Sequence, residues 1–133
     1  MSAEMRRTTV DDLLAQAREG LERLDPAAAA QAVDRGAVLI DIRSESQIAR
    51  EGTIPEALLI GRNVIEWRLD PASEHRHPDA PKLDDHIIVV CDAGYASSLA
   101  AATLQQIGFR RATDLDGGFQ AWRAAGLPVQ SGS

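Results

Sequence analysis

The chain contains a single cysteine, Cys91, and its setting is the one place where residue types and spacing suggest covalent chemistry. It follows the apolar run Ile87-Ile88-Val89-Val90 and precedes Asp92-Ala93-Gly94-Tyr95-Ala96-Ser97, a short stretch of small residues around one glycine. The pattern reads as strand, cysteine, tight loop, helix. In open α/β sheets that edge of a strand is where ligands bind. Loop N–H groups turned inward form a nest for an anion, and the start of the next helix adds positive potential at the same point. Both favour the thiolate, the nucleophilic form of cysteine. The same cradle suits a persulfide, whose outer sulfur is also anionic. The alternative is a small apolar residue packed at a strand end.

The surrounding elements have to present that loop. Thr9 as N-cap, Asp11 and Asp12 in the first turn and Gly20 as a stop predict a helix over 10–20. Asp25 as N-cap, Pro26 at the first helical position and Gly36 as C-cap predict a second over 26–35. The period then changes. Ala37 to Ile42 and Ile87 to Cys91 are nearly continuous apolar runs, as in strands covered on both faces, with Leu58-Leu59-Ile60 and Ala112 to Leu115 as weaker candidates. Helices are predicted from Ser97 or Ser98 to Ile107 and over 119–125, ended by Gly108 and Gly126. The segment from Asp70 to Lys82 holds three prolines and reads as irregular. Alternating strands and helices predict one α/β layer structure with a mainly parallel sheet.

Composition narrows the function classes. At 133 residues the chain is one domain, with 44% hydrophobic and 26% charged residues. Its net charge of -6 disfavours a nucleic-acid partner. No apolar run approaches the roughly 18 residues of a membrane span, and residues 1–7 read as a polar tail without the apolar core of a signal peptide. One cysteine cannot form an intramolecular disulfide or a cysteine-rich zinc site. These features predict a cytoplasmic protein with no cofactor and no metal.

Four segments together resemble the rhodanese-like domain, a single-domain sulfurtransferase family. Leu39-Ile40-Asp41-Ile42-Arg43 resembles its strand ending in Asp-x-Arg. Gly52-Thr53-Ile54-Pro55-Glu56-Ala57 is similar to its Gly-His-Ile-Pro-Gly-Ala turn. Cys91 to Ser97 occupies the place of the active loop, and Leu115-Asp116-Gly117-Gly118 through Trp122 matches the C-terminal Leu-x-Gly-Gly-x-x-x-Trp. The resemblance implies a three-layer α/β domain over residues 21–133, with a mainly parallel sheet of about five strands and helices on both faces. Residues 1–20 are then a tail and an extra helix. It implies Cys91 as the catalytic residue carrying sulfane sulfur, with Asp92, Ala93, Gly94, Tyr95, Ala96 and Ser97 as its substrate-binding loop. The partners would be a small-molecule or protein sulfur donor and a thiol acceptor. The alternative within the family is a non-catalytic binding, regulatory or redox-sensing module.

Three departures from the family pattern matter. The loop position usually held by arginine is Ala96, and Asp92 adds a negative charge beside Cys91. Two like charges ~6 Å apart repel by about 1–3 kcal/mol at effective dielectric constants of ~80 to ~20. Weak use of thiosulfate follows. In the mercaptopyruvate branch the loop also ends in a small residue and arginines elsewhere bind substrate, which makes Arg62 and Arg68 the candidates to reach the pocket. A phosphatase branch has a longer loop closed by arginine; this loop lacks both features, which argues against phosphatase chemistry. In the turn, Thr53 replaces histidine and Glu56 glycine. Outside the loop, Asp41 and Arg43 read as a structural pair, His75 and His77 as solvated loop residues, His86 as exposed and Trp122 as core. Tyr95 is a better candidate than Trp67 to shape what enters.

Overall fold

The computed structural model describes residues 6–131. Residues 1–5 of the predicted tail lie outside them; Arg6 donates to Asp12 at 2.7 Å. The elements run α1 (Val10–Glu19), α2 (Pro26–Asp34), β1 (Val38–Asp41), α3 (Glu45–Glu51), β2 (Leu58–Leu59), α4 (Ile65–Leu69), β3 (Ile87–Val90), α5 (Ala96–Gln106), β4 (Ala112–Asp114) and α6 (Gly118–Ala124). The sheet order is β2-β1-β3-β4 and every pairing is parallel.

The central strand β3 and its neighbour β4 are buried on both faces, whereas the edge strand β2 exposes Leu59. Successive side chains alternate between the faces. Ile87, Val89 and Cys91 pack with Ala100, Ala101 and Leu104 of α5 and with Ile65 and Leu69 of α4. Ile88 and Val90 pack on the other face with Ala29 of α2 and Phe119 and Trp122 of α6. These are the three expected layers.

The sheet has four strands where about five were expected. The fifth reduces to one parallel bridge, Leu24 to Leu115, held by Leu24 N–H to Asp114 O at 3.1 Å and Asp116 N–H to Leu24 O at 2.8 Å. Asp25 then caps α2 and Pro26, lacking an N–H, starts it, so the pairing stops after one residue. The predicted helices over 10–20, 26–35, 97–107 and 119–125 appear with ends shifted by a residue or so. Helices α3 and α4 were not expected. Ser44 and Gln47 form a reciprocal capping box at α3, a sequence signal for its start. Glu56 sits at φ 69°, so the turn keeps the left-handed conformation that glycine usually serves at that position.

Candidate active site

Cys91 leaves β3 at the carboxyl edge of the sheet and is 7% exposed. Its Sγ accepts from Gly94 N–H at 3.1 Å and from Ser97 N–H at 3.4 Å. The cradle is narrower than the loop-wide nest expected: the amides of Asp92, Ala93, Tyr95 and Ala96 make no hydrogen bond to the sulfur. Helix α5 begins at Ala96 and has no side-chain cap; its Ser97 N–H is the one turned to the sulfur, while Ser98 N–H donates back to Tyr95 O at 3.1 Å.

Two glycines make this geometry possible. Gly94 has φ +90°, and a Cβ there would lie 2.8 Å from the Gly117 nitrogen. Gly118 has φ +63°, and a Cβ there would lie 2.5 Å from the Cys91 carbonyl oxygen. Their absence of side chains lets α6 approach closely. Phe119 N–H donates to Cys91 O at 2.8 Å and Gln120 N–H to Asp92 O at 3.1 Å, fixing the backbone on which the thiol stands.

Behind the sulfur lies a buried polar chain. The Cys91 thiol donates to Ser97 Oγ at 3.3 Å, and Ser97 Oγ donates to Asp114 Oδ2 at 2.7 Å. Ser98 Oγ donates to the same oxygen at 2.8 Å. Asp114 is fully buried and its charge is met by Arg23, whose Nε lies 2.9 Å from Oδ1. Burial pulls the Arg23 guanidinium down, but Asp114, with Asp116 and Cys91, outweighs it and raises Arg23 above its ordinary range.

The open side is a pocket of about 290 Å³ lined by Ile42, Arg43, Gln47, Arg62, Cys91, Asp92, Ala93, Tyr95 and Ala96. Five of the seven loop positions from Cys91 to Ser97 therefore face it, while Gly94 and Ser97 contact the sulfur instead. Arg62 reaches the pocket and pairs with Glu66 at 3.1 Å. Arg68 does not; it donates to His75 O at 2.8 Å. Tyr95 is 61% exposed at the mouth, whereas Trp67 is exposed and outside the lining. The Asp92 carboxylate is drawn toward α6, accepting from Gln120 Nε2 at 2.8 Å, a donor it shares with Glu51.

The residues set aside fall mostly as expected. Asp41 and Arg43 form a buried pair and Trp122 is core. His75 is exposed, and His77 Nδ1 accepts from Asp79 N–H within its loop. His86 is a correction: it is half-buried rather than exposed, because it enters β3 between Arg111 and the edge formed by α2. Patterning did not single out Arg18, Arg23, Ser98, Asp114 or Gln120. Asp114 alone carried a signal, a carboxylate within a short apolar strand, since such a group must find partners when buried.

The rhodanese-like domain family model matches residues 25–125. The chain belongs to that family. An Allochromatium vinosum sulfurtransferase is 36% identical over 92 residues, covering 69% of this rhodanese-like domain chain and 77% of the relative. The thiosulfate sulfurtransferase GlpE of Ectopseudomonas mendocina is 35% identical over 103 residues, covering 77% and 85%. A solved structure from Rhodopseudomonas palustris, described as a protein of unknown function and possible tyrosine phosphatase, superposes with a TM-score of 0.85 at 32% identity. It covers 98% of this chain and 99% of its own, N-terminal helix included. No helix among the described residues is long and apolar enough to cross a membrane.

Proposed function

We propose that this rhodanese-like domain is a sulfurtransferase that carries sulfane sulfur as a persulfide on Cys91. The observation that carries the reading is the thiol on the pocket floor, held by the Gly94 and Ser97 amides under the uncapped start of α5. In the loading step the Cys91 thiolate attacks the outer sulfur of a donor R–S–S⁻. A new S–S bond forms, the donor's S–S bond breaks, and R–S⁻ leaves. In discharge an acceptor thiolate attacks the outer sulfur and Cys91 leaves as thiolate, so the protein is unchanged and no outside oxidant or reductant is needed. The added sulfur stands ~2 Å beyond Sγ. The reading requires loop amides that the thiol leaves unused to meet it there.

The donor we infer is a small thiol persulfide or a protein persulfide rather than thiosulfate. Ala96 offers a dianion no charge where the loop ends, and Arg62 is already engaged by Glu66. Phosphoryl transfer fits the loop poorly for the same reason: no arginine closes it over a tetrahedral anion. Ala96 also favours a second reading, a binding or redox-sensing module with no turnover.

Mass spectrometry after exposure to cysteine persulfide distinguishes them. The enzyme gains one sulfur atom on Cys91 and loses it to added thiol over repeated cycles. Cys91→Ser gains none, while its melting temperature moves by only a few degrees, equivalent to about 1 kcal/mol. A wild-type protein that takes up no sulfur, or never releases it, sinks the sulfurtransferase reading.

A further inference from the structure

We propose that Arg18 and Arg23 are positioning residues for sulfur transfer, clamping the Gly94 carbonyl so that the active loop keeps its N–H groups on the sulfur side. The proposal rests on the sulfur-carrier reading above. Both arginines precede residue 25, where the family match begins. Arg18 stands in the last turn of α1, the helix added in front of the family domain.

The contacts converge on one atom. Arg18 Nη2 donates to Gly94 O at 2.8 Å, and Arg23 Nη2 donates to the same oxygen at 2.8 Å. A carbonyl has two lone pairs, so two guanidinium donors saturate it. Each arginine is held in turn. Arg18 Nε donates to Ser98 Oγ at 3.0 Å and its guanidinium lies 5.8 Å from the Tyr95 ring centroid. Arg23 is fixed by Asp114 and Asp116.

The consequence follows from peptide geometry. The bond between Gly94 and Tyr95 is planar and trans, so its carbonyl and its N–H point in opposite directions. Pulling Gly94 O toward the arginines turns Tyr95 N–H away from them, and anchoring residue 94 at its carbonyl also restrains its own N–H, 3.1 Å from Sγ. Gly94, without a Cβ, resists rotation of that peptide less than any other residue would. The two charged donors supply the restraint that the glycine lacks. They also place positive charge behind the loop in a chain that has Ala96 in front of it. The loop's own pocket-side position, Ala96, then carries no charge, and the one half-exposed arginine of the lining, Arg62, is held by Glu66, which suits a donor that brings a neutral organic tail.

The test uses the full chain with Arg18→Met and Arg18→Lys. Arg18 is chosen because removing Arg23 would strand the buried Asp114 carboxylate. Loading from cysteine persulfide is followed by mass spectrometry, and exchange of the Gly94 and Ser97 amides by NMR. Arg18→Met is expected to slow the maximal loading rate about tenfold, the scale of one hydrogen bond from a charged donor. The half-saturating donor concentration and the melting temperature should hardly change. Arg18→Lys should recover much of the rate, and the Gly94 amide should exchange faster in Arg18→Met only. A wild-type rate in Arg18→Met, no recovery in Arg18→Lys, or a loss that merely follows the unfolded fraction would overturn the clamp. If the wild-type protein takes up no sulfur, the sulfur-carrier reading falls on its own. The clamp is then decided by exchange: unchanged Gly94 exchange in Arg18→Met overturns it, and faster exchange restored by lysine supports it.

Discussion

Two buried carboxylate–arginine pairs sit at strand ends of this domain, and they do different things. Asp41 and Arg43 are two residues apart, 2.7 Å from Oδ2 to Nη2, with both side chains fully buried. Arg43 also donates to Gly52 O at 2.7 Å and lies 3.8 Å over the Phe119 ring. Asp114 and Arg23 are 91 residues apart, and their carboxylate takes two further hydrogen bonds from Ser97 and Ser98. A buried pair is tolerable only when its remaining hydrogen-bonding capacity is filled. The first pair fills most of it with Gly52 O and an aromatic face, leaving only Arg43 Nη1 without a hydrogen-bond partner, and so braces a loop. The second fills it with the serines that begin α5, and through Ser97 it reaches the sulfur. The lesson is that burial and charge alone do not mark a working group; what completes the shell does.

The largest effect that could break this contrast comes from removing each charge in turn. Asp41→Asn and Asp114→Asn each leave an arginine without its buried partner. Each should lower the unfolding free energy by about 3–5 kcal/mol in urea titrations. They should part company in chemistry. Arg43 lines the pocket but bonds to neither the sulfur nor the active loop, so the folded fraction of Asp41→Asn is expected to load sulfur close to the wild-type rate. Asp114→Asn should load about tenfold more slowly or worse, because Ser97 and the Gly94 clamp lose their anchor. Equal slowing in both variants would erase the distinction.

That contrast also explains what the sequence revealed. The first pair is local: Asp41-Ile42-Arg43 reads directly as a strand end tied to its own turn. Cys91, its loop and the helix that follows are local as well, and the pocket lining includes five of the seven residues expected there. The second pair is not local. Arg18 and Arg23 look like solvated charges beside a helix end, and nothing in their spacing relates them to residues 71 to 93 positions later. Only the fold, which lays α1 along α5 and bridges Leu24 to Leu115, brings them behind the loop. The same holds for the fifth strand that the family resemblance implied: Leu21 to Leu24 carry no apolar run to mark it, and Asp25 and Pro26 start α2 after a single bridge. Helices α3 and α4, 7 and 5 residues long, show no 3.6-residue period; α6 is as short as α3 but is bracketed by Gly117-Gly118 and Gly126, which marked it.

A smaller effect sharpens the contrast between charge behind the sulfur and charge in front of it. Ala96→Arg places a guanidinium on the pocket side of the loop, opposite the Arg18 and Arg23 side. It should raise kcat/KM for thiosulfate by roughly 10- to 100-fold, the value of one charge-assisted contact to a dianion. Steady-state thiosulfate:cyanide assays measure it. Rapid thiosulfate turnover by the wild-type protein, or no gain in a folded Ala96→Arg variant, would show that the charge behind the loop already serves donor binding.

The smallest expected effect concerns a group in neither pair. His86 enters β3 at the end opposite Cys91. Burial, joined by the Arg111 guanidinium and opposed by Glu22, lowers its pKa below the ordinary 6.5. The folded protein therefore keeps the imidazole neutral at pH values where the unfolded chain is already protonated. The unfolded state binds more protons in that window, so stability falls as pH drops below about 6.5 and is restored above it. Asp12, held low by the Thr9 N–H despite some desolvation, acts only in the carboxylate range further down. Melting curves of the wild-type protein should decline between about pH 7 and pH 5, and His86→Gln should flatten that decline. The rate of Cys91 loading by the folded protein should be the same in His86→Gln and the wild type at each pH, since the length of β3 separates the two ends. A His86→Gln variant with the wild-type pH slope would assign the decline to another group. A change in its loading rate would mean that the two ends of β3 are coupled, and that the chemistry does not depend on the carboxyl edge of the sheet alone.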